Sequence, residues 1–284
     1  MADNVWQIGE VKVTRIVEGE TTGPIFLLPD ATKENILAMP WLQPHFADEQ
    51  GNCRISIHAL VLDTPTKTIV VDTCLGNDKQ RAMKFWANLQ TKFMDDMAAA
   101  GYPPESIDSV LCTHLHTDHV GWNTKLEGDR WVPTFPHAEY LFGKTEWEYT
   151  NAQRSNPLYE EFIVDSIQPV VDAGLARFVD VNEKICDEVS LVPTPGHTPG
   201  HVSVVISSNG EQAVITGDFL HHPCQMEEPY WECEADWDTP LAQKTRVEQL
   251  GKFADDGLLV FGTHFASPSA GRVVRKGKHF QFEV

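Results

Sequence analysis

The stretch Thr113-His114-Leu115-His116-Thr117-Asp118-His119 directly follows the apolar run 109–112, which has the pattern of a short buried strand. Three histidines and one aspartate therefore fall within six residues. Imidazole suits zinc, iron or copper, and a carboxylate among imidazoles adds charge and can move protons. One metal ion takes roughly four to six ligands. Because a loop this tight cannot wrap all of its own donors around one centre, the stretch predicts two adjacent metal ions.

Three further ligand-type residues, His197, Asp218 and His264, each follow an apolar run or a Gly/Pro turn later in the chain. A His-rich hexapeptide on its own is often a solvated surface loop. Ligand-type residues at the exits of several strands instead indicate a rigid scaffold that gathers a catalytic centre. We therefore predict that these residues meet the 114–119 stretch at one edge of a sheet.

On these residues the chain resembles the metallo-β-lactamase-fold hydrolases, from about Ile55 onward. The HxHxDH signature of that family corresponds to residues 114–119, and its downstream ligands correspond in order to His197, Asp218 and His264. The resemblance implies two Zn2+ per chain, with iron, manganese or cobalt as other options. It also implies the ligand sets: one ion held by His114, His116 and His197, a second held by Asp118, His119 and His264, and Asp218 as the bridge between them.

The order of the predicted elements indicates the fold class. Strands come first, then helices, then strands again, without strict βαβ alternation. This order fits an α/β (α+β) chain with two mixed β-sheets packed face to face and helices on the outer faces. The resemblance implies that this arrangement is a metallo-β-lactamase-type αββα sandwich. A TIM barrel with a binuclear centre is the alternative, but the eight strand-helix repeats that it requires are not found.

Several individual elements carry clear local signals. Helical spacing over residues 81–100, ended by Gly101, predicts a helix, and a second helix is predicted over 158–173. Asn209-Gly210 is a strong hairpin signal, and the far strand of that hairpin leads to Asp218. Asp238 is predicted to cap the N-terminus of a helix over residues 239–254.

The length of 284 residues allows one large domain, and nothing in the sequence requires a division, so we expect a single domain over residues 1–284. Within it, residues 20–54 have an irregular pattern, interrupted by Gly and Pro and rich in apolar residues. We predict that this arm is a lid or a homodimer contact. An arm packed on its own domain is the alternative.

The composition limits the partners. A formal net charge of −19, from 41 acidic and 22 basic residues, repels polyanions and argues against a nucleic-acid partner. No apolar run is long enough to span a bilayer and residues 1–11 lack a secretory pattern, so we expect a cytoplasmic protein without a membrane partner. The six cysteines show no CxxC pairing and are expected to be free, mostly buried and outside the ligand positions.

The expected chemistry is hydrolysis. Two zinc-like ions about 3.5–4 Å apart share a bridging water, bring its pKa near neutrality and polarise a carbonyl or phosphoryl oxygen. The metal-bridging hydroxide is expected to attack the substrate, and Asp118 to pass the proton towards the leaving group. A β-lactamase, a hydrolase of a glutathione thioester and a non-hydrolytic iron-dependent oxygenase on the same fold are the alternatives.

The run HLHTDHVGWN at 114–123, the aromatic arm and the tail 262–272 resemble the branch that holds N-acyl homoserine lactonases and methyl parathion hydrolase. The resemblance implies a small neutral substrate: a lactone, a carboxylic ester or a phosphotriester. Those lactonases place a Tyr three residues after the bridging Asp, where this chain has His221. We predict that His221 donates the hydrogen bond in its place, with a packed or solvated histidine as the alternative. Asp72 follows a predicted strand at the point where the resembling family places a carboxylate behind the ligand loop, so the resemblance implies that Asp72 orients a ligand. A turn residue at the strand end is the alternative.

Overall fold

The computed structural model describes residues 4–284, so residues 1–3 of the predicted domain lie outside the described part. The strands are β1 (Val5–Ile8), β2 (Val11–Gly23), β3 (Cys53–Asp63), β4 (Thr68–Val71), β5 (Ser109–Leu111), β6 (Thr124–Glu127), β7 (Arg130–Pro133), β8 (Glu139–Gly143), β9 (Ala176–Val179), β10 (Val189–Pro193), β11 (Val202–Ser208), β12 (Glu211–Ile215), β13 (Leu259–Phe261), β14 (Ala270–Lys276) and β15 (His279–Glu283). The helices are α1 (Lys33–Leu37), α2 (Phe93–Ala99), α3 (Lys144–Ala152), α4 (Pro157–Phe162), α5 (Gln168–Asp172), α6 (Cys224–Glu227) and α7 (Thr239–Asp256).

Two mixed sheets carry the fold. The first has seven strands in the order β1-β2-β3-β4-β5-β8-β9, and the second has six in the order β10-β11-β12-β13-β14-β15. Parallel pairing joins β4, β5, β8 and β9 in the first sheet and joins β12 to β13 in the second, while the other neighbours run antiparallel. A separate two-stranded ribbon is formed by β6 and β7.

The two sheets pack face to face, and their central strands present apolar side chains on both faces. In β3, Leu60 and Leu62 join the core between the sheets, whereas Ala59 and Val61 face the outer helices. The outer face of the first sheet is covered by α2, α4 and α5, and that of the second by α6 and α7. The predicted αββα sandwich of mixed sheets is thereby confirmed.

The N-terminal arm is more regular than the sequence suggests. β2 continues through Gly23 and α1 lies within residues 20–54, so the irregular segment begins later than predicted. Leu28, Ile36 and Phe46 are buried against the outer face of the second sheet, where the arm completes the helical layer. The arm therefore packs on its own domain, and its role as a lid or dimer contact stays a prediction.

The helix predicted over 81–100 is wrong in its first half, because α2 begins only at Phe93. Lys79 and Arg81 turn inwards to Asp165, at 3.6 and 2.7 Å, and the chain after them is irregular. Phe85, one of the apolar residues in the predicted helix, is 61% exposed. Helical spacing in this segment thus did not mark a buried helix face.

Other local predictions are confirmed. The helix predicted over 158–173 is present as α4, a π-helical turn over Ile163–Ile167 and α5. The Asn209-Gly210 turn joins β11 to β12, and the Asp238 carboxylate accepts a hydrogen bond from Leu241 N at the start of α7. Among residues 4–284, every helix is too short or too polar to cross a bilayer.

Candidate metal centre

The predicted ligand residues lie in loops that leave four strands at one edge of the sandwich. The 114–119 stretch follows β5, His197 follows β10, Asp218 follows β12 and His264 follows β13. Their donor atoms form three groups that share members. Within each group, the donor atoms all lie within 4.8 Å of one another. The groups are His114 with His116 and His197, His114 with His119 and Asp218, and Asp118 with His119 and His264. The structure therefore brings all of the predicted ligand residues together.

One carboxylate oxygen, Asp218 Oδ2, lies close to four histidines of the cluster. Asp218 Oδ2 lies 3.1 Å from His264 Nε2 and 3.2 Å from His119 Nε2. His197 Nε2 and His114 Nε2 are 3.8 and 3.9 Å from the same oxygen. This position between the two halves of the cluster is the one expected of a bridging carboxylate.

The donors suit divalent metal ions. Burial lowers the pKa of His114 and His197 well below the usual value and that of His116 to about 4, so these rings are neutral at pH 7 and offer lone pairs. His116 Nδ1 lies 3.1 Å from His114 Nε2 and 3.0 Å from His197 Nε2, close to the separation of about 3.3 Å that a tetrahedral zinc ion imposes on its nitrogen ligands.

The charge of Asp218 also suits a cation. Burial alone would raise the pKa of this carboxyl group, but the imidazoles of His264 and His119 hold its pKa well below the usual value. Its second oxygen, Oδ1, is buried and has no hydrogen-bond partner among the described residues. A buried, ionised carboxylate with an unused oxygen is the kind of group that a bound cation satisfies.

Asp72 lies where the sequence analysis expects it, directly behind the cluster. Its oxygens accept hydrogen bonds from Thr113 N and Thr113 Oγ1, both at 2.8 Å, and Oδ2 is 3.0 Å from His119 Nδ1. These contacts fix the ligand loop and leave the Nε2 face of His119 directed towards Asp218. Such partners orient imidazole ligands and set their tautomers.

Two carboxylates that the sequence analysis missed support His197 and the loops around it. Asp236 Oδ1 lies 3.0 Å from His197 Nδ1. This contact leaves the lone pair of His197 Nε2 for a metal ion. Glu146, on α3, is fully buried and accepts hydrogen bonds from Leu115 N and Gly200 N, both at 3.1 Å. Neither residue lies in a recognisable motif, and only the fold brings them to the site.

The ring of His201 lies against the loop that carries Asp218, where His201 Nε2 accepts a hydrogen bond from Asp218 N at 2.7 Å. His201 Nδ1 contacts Thr194 Oγ1 at 2.8 Å. The ring therefore ties Asp218 to Thr194, directly after β10.

His221 also lies at the cluster, with its Nε2 atom 3.3 Å from Asp218 Oδ2. The thiol of Cys233 is 3.8 Å from the same nitrogen. The six cysteines are free and five of them are buried, as predicted. The expectation that the cysteines lie outside the ligand positions stays a prediction. Cys233 does lie close to the cluster, because His197, His221 and Cys233 form a fourth group of mutually close donors.

Comparison with known proteins identifies the family. The sequence profile of the metallo-beta-lactamase superfamily matches residues 54–264, from β3 to the last predicted ligand. The chain belongs to the metallo-beta-lactamase superfamily. The matched region includes every residue of the His/Asp cluster.

Curated relatives match the chain at low identity and over part of its length. An N-acyl homoserine lactonase from Bacillus sp. is 27% identical over 126 residues, which are 44% of this chain and 43% of the relative. The probable metallo-hydrolase YybB of Bacillus subtilis (strain 168) is 24% identical over 171 residues, 59% of this chain and 63% of that protein. The matches thus span less than two thirds of the length of either relative.

Solved structures match over nearly the whole chain. The crystal structure of hydrolase AbOPH in the beta lactamase superfamily has a TM-score of 0.81 at 26% identity, covering 99% of this chain and 97% of that one. AidC, described as a dizinc quorum-quenching lactonase, has a TM-score of 0.80 at 21% identity, covering 98% and 96%. At 21% identity, the similarity to AidC shows a shared fold and no more.

Proposed function

We propose that this chain is a dinuclear metal hydrolase that cleaves a small, neutral ester-type substrate, a lactone or carboxylic ester first and a phosphotriester second. The observation that carries the proposal is the convergence of the predicted ligand residues on Asp218 Oδ2. The lactonase and hydrolase names among the relatives support the reaction class. A net charge of −19 suits a neutral substrate better than an anionic one.

In the proposed centre, the donor sets are those that the family resemblance implies. His114, His116 and His197 would hold one ion, Asp118, His119 and His264 the other, and Asp218 would contact both. When bound, zinc ions lower the pKa of water and polarise a carbonyl or phosphoryl oxygen. The remaining steps fall to the side chains of this protein.

Asp118 is the proposed proton carrier. Its oxygens lie 3.7 Å from His119 Nε2 and 3.6 Å from His264 Nε2, and its side chain keeps 13% of its surface exposed. Asp118 is thus more accessible than Asp218, whose side chain is 5% exposed. A carboxylate at the open side of the cluster can take a proton from the nucleophile and deliver it to the leaving alkoxide.

The proposal is tested by hydrolysis of a panel with metal-loaded protein. The panel contains an acyl homoserine lactone, a plain γ- or δ-lactone, a nitrophenyl ester, a phosphotriester and a cephalosporin. We expect metal-dependent turnover of lactones or esters above the rest, and loss of that turnover in Asp118→Ala, with metal content measured beside it. If protein with two bound metal ions hydrolyses none of the panel, the dinuclear centre stands and this substrate class is wrong.

We further propose that His221 donates a hydrogen bond to the substrate near the scissile ester. His221→Phe keeps the ring but removes the donor, so we expect kcat to fall about 10- to 100-fold, the equivalent of ~1.5–3 kcal/mol. The chain should still bind two metal ions, because the predicted ligand sets stay intact. His137→Phe, at an exposed histidine outside the cluster, is the matched control. Unchanged kinetics in His221→Phe would remove this role.

A further inference from the structure

A second kind of donor set lies inside the metal centre. Ligand atoms of His197, His221 and Cys233 all lie within 4.8 Å of one another, and all three side chains are buried. The set shares His197 with the predicted three-histidine group, but it replaces two imidazoles by one imidazole and one thiol. The thiol is the only sulfur in any of the donor groups found among residues 4–284.

The local chain explains why Cys233 reaches the centre. Trp237 N donates a hydrogen bond to His197 O and Asp238 N donates one to Gly196 O, both at 3.0 Å, so the segment 233–238 is fastened along the His197 loop. Asp236 then holds His197 Nδ1. On the other side, Gln225 Oε1 accepts a hydrogen bond from His221 N at 2.7 Å and fixes the backbone that carries that ring.

The distances suit a small tetrahedral ion. Cys233 Sγ lies 3.8 Å from His221 Nε2, near the separation of about 3.5 Å that a zinc ion imposes on one sulfur and one nitrogen ligand. Asp218 Oδ2 lies 3.3 Å from His221 Nε2 and 3.8 Å from His197 Nε2, so a carboxylate stands beside the two imidazoles of the set. Two imidazoles and one thiolate are three ligands that zinc or another thiophilic ion accepts, with the fourth position left to a water molecule.

We propose that His197, His221 and Cys233 form an alternative, sulfur-containing site for a thiophilic divalent cation such as Zn2+, Co2+ or Cd2+. The proposal rests on the metal centre proposed above but not on its substrate. His197 Nε2 can bind only one ion at a time, so the number of ions per chain stays at two. The ion held by His114, His116 and His197 would exchange His114 and His116 for His221 and Cys233. An ion in this set engages His221 Nε2, so at that moment this nitrogen cannot donate a hydrogen bond to the substrate.

The test is spectroscopic and needs no turnover. Metal-free protein is titrated with Co2+ to two equivalents, and the near-ultraviolet region is followed for a thiolate-to-cobalt charge-transfer band. We expect the band in the wild type and its loss in Cys233→Ser. Cys224→Ser is the matched control, because Cys224 is buried in the same apolar cluster but lies in none of the donor groups. It should keep the band.

X-ray absorption of the zinc-loaded wild type provides a second measurement that does not depend on a variant folding. A sulfur ligand adds a scattering shell at about 2.3 Å, beyond the nitrogen and oxygen shells at about 2.0–2.2 Å. Two bound ions with no sulfur shell and no charge-transfer band would overturn the sulfur site and leave the dinuclear centre standing. Failure to bind metal at all would overturn the dinuclear centre and the sulfur site together.

Discussion

Replacing Asp218 with asparagine is expected to lower kcat/KM at least about a thousandfold on the best substrate of the panel, or ~4 kcal/mol of transition-state stabilisation. The reason is the convergence described above. Nε2 atoms of five histidines lie 3.1–3.9 Å from one oxygen of this carboxylate. Asparagine keeps the shape but carries no charge, and it cannot neutralise two cations that share the site. We therefore also expect fewer than two ions per chain after gel filtration.

The measurement pairs elemental analysis with steady-state kinetics on the same preparation. Asp187→Asn is the matched control, because the Asp187 side chain is 87% exposed and pairs only with Lys184 at the surface. It should leave both metal content and rate unchanged. If Asp218→Asn keeps two ions and a rate within about tenfold of the wild type, Asp218 does not bridge them.

The cluster could be predicted from the sequence because its signals are local. Each ligand-type residue stands just beyond a short apolar strand, and strand exits at one edge of a sheet meet in space. The hairpin at Asn209-Gly210 and the cap at Asp238 were predictable for the same reason, since each depends on residues adjacent in the chain. Asp72 was predicted through the family resemblance, which implies a carboxylate directly after β4.

The residues that hold the cluster together could not be predicted in this way. Asp236 reaches His197 across 39 positions of sequence, and Glu146 reaches Gly200 across 54. Cys233 lies in an irregular segment without a spacing signal. Apolar spacing also misled: the predicted helix over 81–100 fails in its first half because Arg81 is drawn to Asp165, a contact that no local pattern encodes.

Arg246 is the residue whose loss should destabilise this protein most among those around the centre. It lies on α7 and is fully buried. Its Nε donates to Phe219 O at 3.0 Å, and its Nη1 donates to Pro229 O at 2.7 Å and to Trp231 O at 3.1 Å. Its Nη2 lies 3.6 Å from Asp236 Oδ2. One guanidinium therefore joins the loop after Asp218, the 229–231 segment and the carboxylate that orients His197.

Arg246→Met keeps most of the apolar stem but leaves three carbonyls, two of them in buried hydrogen bonds, without their donor and Asp236 without its cation. Removing one partner of a buried ion pair costs about 3–5 kcal/mol, so we expect the free energy of unfolding to fall by that amount. Urea unfolding of the metal-free protein measures this loss without the contribution of bound metal. Arg275→Met, at an exposed pair with Asp255, is the control and should leave the unfolding midpoint unchanged.

The same variant should also weaken the metal centre, because Asp236 orients His197 and loses its buried counter-charge. Loss of such a supporting contact lowers metal affinity by about 10- to 100-fold, which competition with a chromophoric chelator measures on the folded fraction. A large loss of stability with unchanged affinity would show that Arg246 only fastens α7 to the loops around it. Loss of both would show that the helix layer behind the second sheet and the ligand geometry at its edge depend on one buried side chain.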